Sequence, residues 1–410
     1  MKFQDYNISS DLKKRIEEMG WKRPTDIQFK AIKPILAGED VLAIAQTGTG
    51  KTASFVIPTL NAVISNKGRS KYNKSSVAVL VMVPTRELAK QIQDVYNDVA
   101  KYLRVKIAGI YGGVEQDEQI RQLNNGVDVV ISTPGRMFDL ISQGYLKLEN
   151  LQTLVLDEAD HMLDLGFIKD IKDVMRHIPK KRQTLFFSAT IDKNIKKLAY
   201  DLVSDAIRIQ ISPKNPVAKN IEHAVTFVEM DDKRFFLENL IKENEGEKLI
   251  VFVRTKVRAD RVVKALERVA ISSETIHGDV EQKDRFKILA RFKSGENNVL
   301  VTTDVAARGI DIPNIAYVVN YDLPEEPENY VHRVGRTGRG KNKGWAISFC
   351  AEQEKELLTA IEEYTGNPID VYELSKLDYQ SIINDSENGD DDWQSLLKDA
   401  NEEFGTDNTW

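Results

Sequence analysis

The sequence predicts an α/β protein made of two consecutive domains, each with a mostly parallel sheet flanked by helices. Short runs of apolar, β-branched residues alternate with longer segments of helical periodicity along most of the chain. Runs with few polar interruptions are typical of parallel strands that are covered on both faces. The length of 410 residues suits two or three domains. A polar segment with two prolines, residues 212–216, marks the expected boundary between them.

Each predicted strand is a short apolar run bounded by polar residues. The first series consists of Val41–Ile44, Val77–Val83, Val105–Ile110, Val127–Ile131, Leu154–Leu156 and Thr184–Phe187. The second series consists of Leu249–Val253, Val299–Val301, Tyr317–Val319 and Ala346–Phe349. We therefore expect a first domain over residues 1–210, a linker over 211–220, a second domain over 221–370 and an acidic, disordered tail over 371–410.

Composition is that of an ordinary soluble globular protein, with 41% hydrophobic residues and no apolar stretch near the roughly 18 residues of a membrane span. The chain shows no signal-peptide pattern, and its one cysteine, Cys350, lies in a predicted strand, so we expect a reducing, cytoplasmic setting. The net charge of −6 is uneven, because the residues from Lys376 onward carry eight more carboxylates than lysines. The remaining residues carry +2, so the overall charge excludes no nucleic-acid partner.

The first predicted helix carries Leu12 and Ile16 on one face, with a serine cap before it and Gly20 as its stop. It leads into residues 21–28, where an aromatic residue and a glutamine frame the pair Pro-Thr. Ring stacking and two amide hydrogen bonds from such residues suit an adenine base. The segment therefore predicts an adenine pocket that lies ahead of a phosphate-binding loop.

That loop is Ala45–Thr52, which follows the strand Val41–Ile44. Backbone N–H groups of a glycine-rich turn that opens a helix cradle phosphate oxygens. Lys51 is expected to neutralise the β- and γ-phosphates, and the Thr52 hydroxyl to bind Mg²⁺. The general pattern begins with glycine, whereas this chain has Ala45.

The segment Asp157–Asp160 follows the apolar run Leu151–Leu156. Ionised carboxylates beside a core are costly unless a cation compensates them. We expect Asp157 to hold Mg²⁺ and Glu158 to act as the base that polarises the attacking water. With the phosphate loop, these residues are expected at the tips of neighbouring strands.

Further polar clusters follow predicted strands of both series, where ligands of doubly wound sheets bind. In the first series they are residues 84–88, 112–113, 133–136 and 188–190. In the second series they are 277–285, 302–311 and 332–339. Hydroxyls, arginines and backbone N–H groups suit sequence-independent contacts to a phosphodiester backbone.

The segment His332–Arg339 has three arginines among eight residues, which would repel one another unless an anion lay between them. Arg336 and Arg339 are therefore expected to act as arginine fingers for a phosphate bound on the other domain. Such a site would form only when the domains close, which would couple hydrolysis to domain motion.

Together these motifs resemble the DEAD-box family of ATP-dependent RNA helicases over nearly all of residues 1–350. Phe3 with residues 21–28 is similar to the Q motif of that family, and residues 45–52 are similar to its motif I. Residues 84–89 resemble motif Ia, residues 112–113 motif GG and residues 133–136 motif Ib. Residues 157–160 resemble motif II, and residues 188–190 resemble motif III. Residues 251–255 with 282–285, 303–311 and 332–339 resemble motifs IV to VI. The order and spacing make the resemblance specific, and the compact core is most like that of bacterial members.

The resemblance implies two tandem RecA-like domains, ATP and Mg²⁺ as ligands, and single-stranded RNA bound across both domains. It implies a nucleotide site formed by Phe3, Trp21, Thr25, Gln28, Gln46, Thr47, Gly48, Thr49, Gly50, Lys51, Thr52, Asp157, Gly309, Asp311, Arg336 and Arg339. RNA would contact Pro84, Thr85, Arg86, Gly112, Gly113, Thr133, Pro134, Gly135, Arg136, Arg285, Thr302 and Thr303. Asp311 would reach the ribose, His332 would link the two sites, and Ser188 and Thr190 would couple hydrolysis to strand separation.

The resemblance therefore predicts a monomeric enzyme that separates short duplexes locally and hydrolyses ATP to release RNA, in ribosome assembly, RNA decay or cold adaptation. One alternative is an ATP-dependent RNA clamp whose unwinding is incidental. Another is a DNA helicase or a translocating motor, against which residues 21–28 and 157–160 argue. The tail either stays unfolded or, through the helical face of Trp393, Leu396, Leu397, Ala400 and Phe404, docks on a protein partner or on the body.

Overall fold

The computed structural model describes residues 1–387 except Thr47, 68–75, Asp192, Ser204, 212–216, 218–219, 308–309, Asp311, Pro313 and 339–342. The chain divides into two compact units. The first is built mainly on Met1–Pro216, and the second on Val217–Val280, Asp284–Ala307 and the residues from Ile312 onward. Most of the predicted linker lies outside the described residues.

The first unit has seven parallel strands in the order β3-β4-β2-β5-β6-β1-β7. The strands are β1 Val41–Ala45, β2 Val79–Met82, β3 Ile107–Ile110, β4 Val129–Ser132, β5 Thr153–Leu156, β6 Gln183–Ser188 and β7 Ile207–Ile211. The α-helices are α1 Ser10–Glu18, α2 Asp26–Leu36, α3 Lys51–Lys67, α4 Arg86–Val99, α5 Gln116–Asn124, α6 Pro134–Ser142, α7 Ala159–Asp164, α8 Ile168–Val174 and α9 Lys193–Leu202. Strands β1, β2, β4 and β5 are buried along their whole length, as expected for a sheet covered on both faces.

One expectation about strand order was wrong. The phosphate loop and Asp157–Asp160 follow β1 and β5, which are not neighbours, because β6 lies between them. The register is set by the pairs Val41↔Leu185 and Leu154↔Thr184, both of which involve β6. All three strands run parallel, so their carboxyl ends still meet at one edge of the sheet. Ser188, the last residue of β6, therefore lies between the two motifs.

The start of the first unit follows the prediction. The Ser9 hydroxyl accepts a hydrogen bond from the Leu12 N–H at 3.3 Å and so caps α1. Leu12 and Ile16 are fully buried. Gly20 has a φ of +74°, a left-handed conformation that favours glycine and ends the helical segment.

The second unit also has seven parallel strands, in the order β10-β11-β9-β12-β13-β8-β14. They are β8 Ile221–Phe227, β9 Leu249–Phe252, β10 Glu274–Ile276, β11 Val299–Thr302, β12 Tyr317–Asn320, β13 Gly344–Cys350 and β14 Asp370–Val371. The α-helices are α10 Lys233–Glu243, α11 Lys256–Arg268, α12 Gln282–Ser294, α13 Asp304–Ala307, α14 Pro327–Val334, α15 Lys355–Thr365 and α16 Lys376–Glu387. The expectation of two tandem α/β domains with mostly parallel sheets is confirmed.

Four strands, β7, β8, β10 and β14, were not predicted. Strands β7, β10 and β14 lie at sheet edges, and β10 and β14 have only three and two residues. Strand β8 mixes Glu222 and His223 with apolar residues, so it lacks an uninterrupted apolar run. Edge position and polar content both remove the sequence signal of a buried strand.

The ordered chain continues beyond residue 370, where the acidic tail was expected to begin. Helix α16 packs on α10, with the Tyr379 ring 4.8 Å from the Phe236 ring. The Tyr379 hydroxyl donates to Asp232 Oδ2 at 2.7 Å. A partly buried ring with a polar anchor holds this segment although its composition is acidic. Residues 388–410, including the predicted helical face from Trp393 to Phe404, lie outside the described residues. None of the described helices is both long and apolar enough to cross a bilayer.

Candidate functional site

The loop after β1 has the conformation of an anion cradle. Gly48 and Gly50 have φ values of +79° and +90°, and the Thr49 hydroxyl donates to Gln46 O at 2.7 Å. Lys51 opens α3 with only 7% of its surface exposed, and its Nζ has no hydrogen-bond partner among the described residues. A buried ammonium without a partner is costly, so the loop is suited to an anion such as a phosphate. Thr47 lies outside the described residues.

Asp157 provides the complementary negative group at the end of β5. It is 3% exposed, and its Oδ1 accepts the Glu158 N–H at 3.0 Å. Burial raises the pKa of the Asp157 carboxyl to about 6, against the opposing effect of Lys51. An ionised Asp157 therefore requires a cation. Among the described residues, no group of three or more His, Cys, Asp or Glu side chains is placed to hold a metal ion by itself.

Glu158 stands at the start of α7 in a strained conformation. Its φ of 52° and ψ of 50° lie in the left-handed region, which costs a non-glycine residue about 1–3 kcal/mol. Its side chain is 15% exposed, and Oε2 lies 3.3 Å from His161 Nδ1. Strain of this kind persists where the surroundings hold a residue in a functional position.

Asp160 connects this motif to the end of β6, a role that sequence reasoning missed. Its Oδ2 accepts the N–H groups of Ala189 and Thr190, both at 2.9 Å, and the Thr190 hydroxyl lies 3.3 Å away. The buried Ser188 hydroxyl has no hydrogen-bond partner among the described residues. Since β6 lies between β1 and β5, this carboxylate joins the segment after β5 to the segment after β6.

Gln28 connects the predicted adenine pocket to the phosphate loop. Its Oε1 accepts the Thr25 N–H at 3.0 Å, and its Nε2 donates to Gly50 O at 3.0 Å. A Cβ at Gly50 would lie 2.5 Å from Gln28 Nε2, so glycine permits the approach. Phe3 is 2% exposed and lies 6.3 Å from the half-buried Trp21 ring. Phe3 therefore supports Trp21 from within instead of offering an open face to a base.

The residues predicted to contact RNA in the first unit lie at the carboxyl ends of β2, β3 and β4. Thr85 caps α4 by accepting the Leu88 N–H at 3.3 Å, and the next residue, Arg86, is exposed. A Cβ at Gly112 would lie 3.2 Å from the Arg86 guanidinium, and one at Gly113 would lie 2.5 Å from it. The two glycines therefore allow Arg86 to lie against this backbone.

Next to them, α6 begins at the end of β4. The side chains of Pro84, Thr133 and Pro134 are buried, whereas Gly135 is exposed. Arg136 is half-buried and reaches Val114 O at 3.5 Å. Pro84, Thr133 and Pro134 can therefore offer only their backbone groups to a ligand at this edge of the sheet.

The arginine-rich segment of the second unit differs from the prediction at Arg333. Its guanidinium is 2% exposed and binds Asp304 through Nε at 2.5 Å and Nη2 at 2.7 Å. Its Nη1 donates to Asn320 Oδ1 at 3.2 Å and to Asp322 O at 2.7 Å. The anion expected between the arginines is, for Arg333, a carboxylate of the chain itself.

The other predicted residues of this unit have mixed positions. Arg336 is buried and its Nε donates to His332 O at 3.1 Å. Arg285 donates to His277 O and Ala306 O, at 3.4 and 3.2 Å.

The two threonines after β11 differ in exposure. Thr302 is fully buried and its hydroxyl donates to Ile276 O at 3.0 Å, so it serves the fold and offers RNA no hydroxyl. Thr303 is half-exposed. The predicted residues Gly309, Asp311 and Arg339 lie outside the described part of the chain.

A glycine-rich loop between a buried strand and a helix, with a buried lysine and a carboxylate across β6, defines a phosphate-loop nucleoside triphosphatase. Family comparisons then identify the branch. The DEAD/DEAH box helicase family matches residues 25–198, and the helicase conserved C-terminal domain matches residues 232–341. The chain therefore belongs to the DEAD-box family of ATP-dependent RNA helicases.

Relatives and solved structures agree with this assignment. The chain is 39% identical to the ATP-dependent RNA helicase DbpA of Bacillus subtilis (strain 168), over 92% of this chain and 77% of the relative. It is 40% identical to the ATP-dependent RNA helicase RhlB of Shewanella oneidensis, over 94% and 87% of the two chains. Among solved structures it resembles S. cerevisiae Dbp5 bound to RNA and ADP BeF3, with a TM-score of 0.81, 30% identity and 95% and 99% coverage. The DEAD-box helicase Mss116 bound to ssRNA and UDP-BeF gives a TM-score of 0.84, 28% identity and 97% and 84% coverage. These relatives do not favour the clamp alternative.

Proposed function

We propose that this chain is an RNA-stimulated ATPase that separates short RNA duplexes locally, with its nucleotide held by Lys51, Thr52 and Asp157. The observation that carries the proposal is the pair of buried, opposite groups at one sheet edge. Lys51 Nζ has no hydrogen-bond partner among the described residues, and burial raises the pKa of the Asp157 carboxyl to about 6. A Mg²⁺-bound triphosphate supplies what each group requires: an anion for Lys51 and a cation for Asp157.

In the proposed reaction, Glu158 accepts a proton from the attacking water as the water oxygen bonds to the γ-phosphorus. The bond from that phosphorus to the β–γ bridging oxygen breaks, which yields ADP and phosphate. Lys51 and the loop N–H groups stabilise charge on the phosphoryl oxygens. When bound, Mg²⁺ neutralises charge on the β- and γ-phosphates, and Thr52 and Asp157 are the residues that would hold it.

For the base, we propose that Gln28 selects adenine. The side-chain oxygen of Gln28 accepts the Thr25 N–H, and its side-chain nitrogen donates to Gly50 O. An amide oxygen has a second lone pair and an amide nitrogen a second hydrogen, so one acceptor and one donor remain for the base. Trp21, supported by Phe3, would supply the stacking surface.

For RNA, we propose contacts along the sugar-phosphate backbone by Arg86, the exposed backbone at Gly113 and Gly135, and Arg136, with Arg285 and Thr303 in the second unit. Such contacts carry no base information, and preference for RNA would come from 2′-hydroxyls. The names and ligands of the relatives, which are RNA helicases and RNA complexes, support RNA as the class of nucleic acid.

We extend the proposal to Arg336 and Arg339 as arginine fingers that stabilise charge on the transferred phosphoryl group. His332, whose carbonyl holds Arg336 Nε, would link nucleotide and RNA binding, and Asp311 would bind the ribose. Ser188 and Thr190 would couple hydrolysis to strand separation. Thr190 has a physical link to the catalytic motif through Asp160.

We propose that the protein acts as a monomer in the reducing cytoplasm, on RNA that is being remodelled in ribosome assembly or decay. Burial raises the pKa of the Cys350 thiol to about 11, so this cysteine is inert at physiological pH. The acidic residues beyond α16 are the proposed docking segment for a protein partner.

The test compares ATP hydrolysis with matched single-stranded RNA and DNA, and then ATP-dependent separation of a short RNA duplex. We expect stimulation by RNA well above that by DNA, and duplex separation only with ATP and Mg²⁺. The control is Glu158→Gln, which should bind ATP and RNA but lose turnover by about 10²–10⁴-fold. Equal stimulation by DNA would refute the RNA assignment, and near-normal turnover by Glu158→Gln would refute the base.

A further inference from the structure

His161 contacts the proposed base without being part of the predicted site. It lies one helical turn after Glu158 on α7, and its side chain is 6% exposed. Its Nδ1 lies 3.3 Å from Glu158 Oε2, and its backbone N–H donates to Asp160 Oδ1 at 3.1 Å. The imidazole is therefore buried between the catalytic motif and the core instead of projecting to solvent.

The surroundings of the ring indicate which nitrogen carries the proton. A carboxylate oxygen only accepts, so the contact with Glu158 requires an N–H at Nδ1. Nε2 is buried and has no hydrogen-bond partner among the described residues. Nε2 lacks a partner in the described chain whether it acts as donor or acceptor, so the contact with Glu158 decides and places an N–H at Nδ1.

Glu158 has a particular need for such a contact. Its backbone is in the left-handed region, and its side chain makes no capping hydrogen bond to α7. A glutamate side chain has three rotatable bonds, and a base must keep its oxygen in line with one water. A hydrogen bond to one carboxylate oxygen fixes the plane of the group, and with it the direction of the second oxygen.

We propose that His161 is a positioning residue for ATP hydrolysis: its Nδ1–H holds the Glu158 carboxylate in the orientation that polarises the attacking water. This rests on the proposed role of Glu158 as the base. Because His161 acts through Glu158, it should affect turnover and leave nucleotide binding by Lys51 and the loop unchanged.

Three substitutions at position 161 separate the position of the donor from the volume of the side chain. The amide nitrogen of His161→Asn occupies the place of Nδ1, whereas that of His161→Gln reaches towards the place of Nε2. His161→Leu keeps the volume and has no donor. The matched control is His177→Asn, which removes the exposed imidazole of the same unit, away from the site.

The measurements are kcat and KM for ATP at saturating RNA, and the affinity of a fluorescent ADP analogue. We expect His161→Leu and His161→Gln to lower kcat by about ten- to a hundredfold with KM and ADP affinity within about twofold of wild type. His161→Asn should recover kcat to within about threefold of wild type, and His177→Asn should match wild type.

Three results would overturn the proposal: normal kcat in His161→Leu, equal rescue by Gln and Asn, or a raised KM with normal kcat. A uniform loss in all three variants would also overturn it, since that pattern follows from disturbed packing. The proposed function is judged separately by Glu158→Gln. If Glu158→Gln is inactive while His161→Leu has a normal kcat, Glu158 remains the proposed base and the positioning role of His161 is refuted.

Discussion

The two units place a buried lysine at the same kind of position and use it differently. Lys51 opens α3 in the first unit, and Lys233 opens α10 in the second. Their side chains are 7% and 0% exposed. Lys51 Nζ has no hydrogen-bond partner among the described residues, whereas Lys233 Nζ binds Glu354 and donates to Tyr321 O at 2.8 Å. The same residue type is therefore ready for a ligand in one unit and part of the fold in the other.

The difference teaches that burial alone does not identify a ligand-binding lysine. Burial lowers the pKa of Lys233, and the hydrogen bond that Lys233 donates to Glu354 raises it. Glu354 in turn accepts the Leu323 N–H and the Ala351 N–H, at 3.2 and 3.1 Å. The charge of Lys233 is thus compensated inside the chain, while compensation of Lys51 is left to Asp157 and a bound phosphate.

Removing the lysine of the satisfied pair should have the largest effect on stability. We expect Lys233→Met to lower the free energy of unfolding of the second unit by about 3–5 kcal/mol, because Glu354 loses its buried cation and keeps only the more exposed Arg254, 3.2 Å away, as an ion-pair partner. The measurement is urea unfolding of the full chain. The double variant Lys233→Met with Glu354→Gln should regain a large part of the loss. No recovery in the double variant would show that the pair is not the source of the effect.

Removing the other lysine should not lower stability but should strongly lower the rate of ATP hydrolysis. We expect Lys51→Met to lower kcat/KM for ATP by about 10²–10³-fold, because the charge aimed at the phosphates is lost. Its free energy of unfolding without nucleotide should equal or exceed that of wild type. Lys30→Met, on an exposed position of α2, is the control for loss of a lysine. A destabilised Lys51→Met would mean that both lysines are structural and would remove the contrast between the units.

The sequence was sufficient to predict those features of the site and fold whose interaction partners are ligands or residues close by in the chain. The phosphate loop, the carboxylates after β5 and the cap of α1 follow from local patterns, because their chemistry is contained in a few consecutive residues. The order of β5, β6 and β1 could not be read from the chain, since adjacency in a parallel sheet depends on the packing of all crossover helices.

The same limit explains why Arg333 was grouped with the two arginines that were expected to face a phosphate. Arg333 finds its anion in Asp304, which is 29 positions away in sequence. Lys233 finds Glu354 at a separation of 121 positions. No local pattern distinguishes an arginine paired within the fold from one that is aimed at a ligand. His161 was missed for the opposite reason, since a single histidine on a short helix carries little information until its distance to Glu158 is known.

The pH dependence of stability should sharpen the contrast at Asp157. Because burial raises its pKa from 3.8 to about 6, the folded nucleotide-free protein binds a proton more readily than the unfolded chain between these values. The stabilisation by the protonated form is complete below about pH 4 and is lost as the pH rises through about 6. Asp157→Asn should therefore stabilise the nucleotide-free protein by about 1–3 kcal/mol near pH 8, and the gain should shrink as the pH falls below about 6.

Urea unfolding across this pH range, without Mg²⁺ or nucleotide, measures the effect. Asp98→Asn, at an exposed carboxyl of α4, controls for the loss of one negative charge. A gain at Asp157→Asn that is independent of pH would contradict a raised pKa and would point to packing instead.

The smallest expected effect concerns the base of the nucleotide and depends on the two bonds of Gln28. Gln28→Ala removes the acceptor for Thr25 N–H and the donor to Gly50 O, so it should reduce the preference for ATP over GTP by about tenfold and destabilise α2 by about 0.5–2 kcal/mol. Gln28→Glu keeps the acceptor that caps α2 and loses the donor. It should therefore lose the preference while keeping the cap of α2, and the carboxylate oxygen that faces Gly50 O should weaken only the contact with the loop. Competition of ATP and GTP for a fluorescent nucleotide, with thermal unfolding of each variant, separates the two effects. An unchanged preference in both variants would show that Gln28 holds the loop of Lys51 without reading the base.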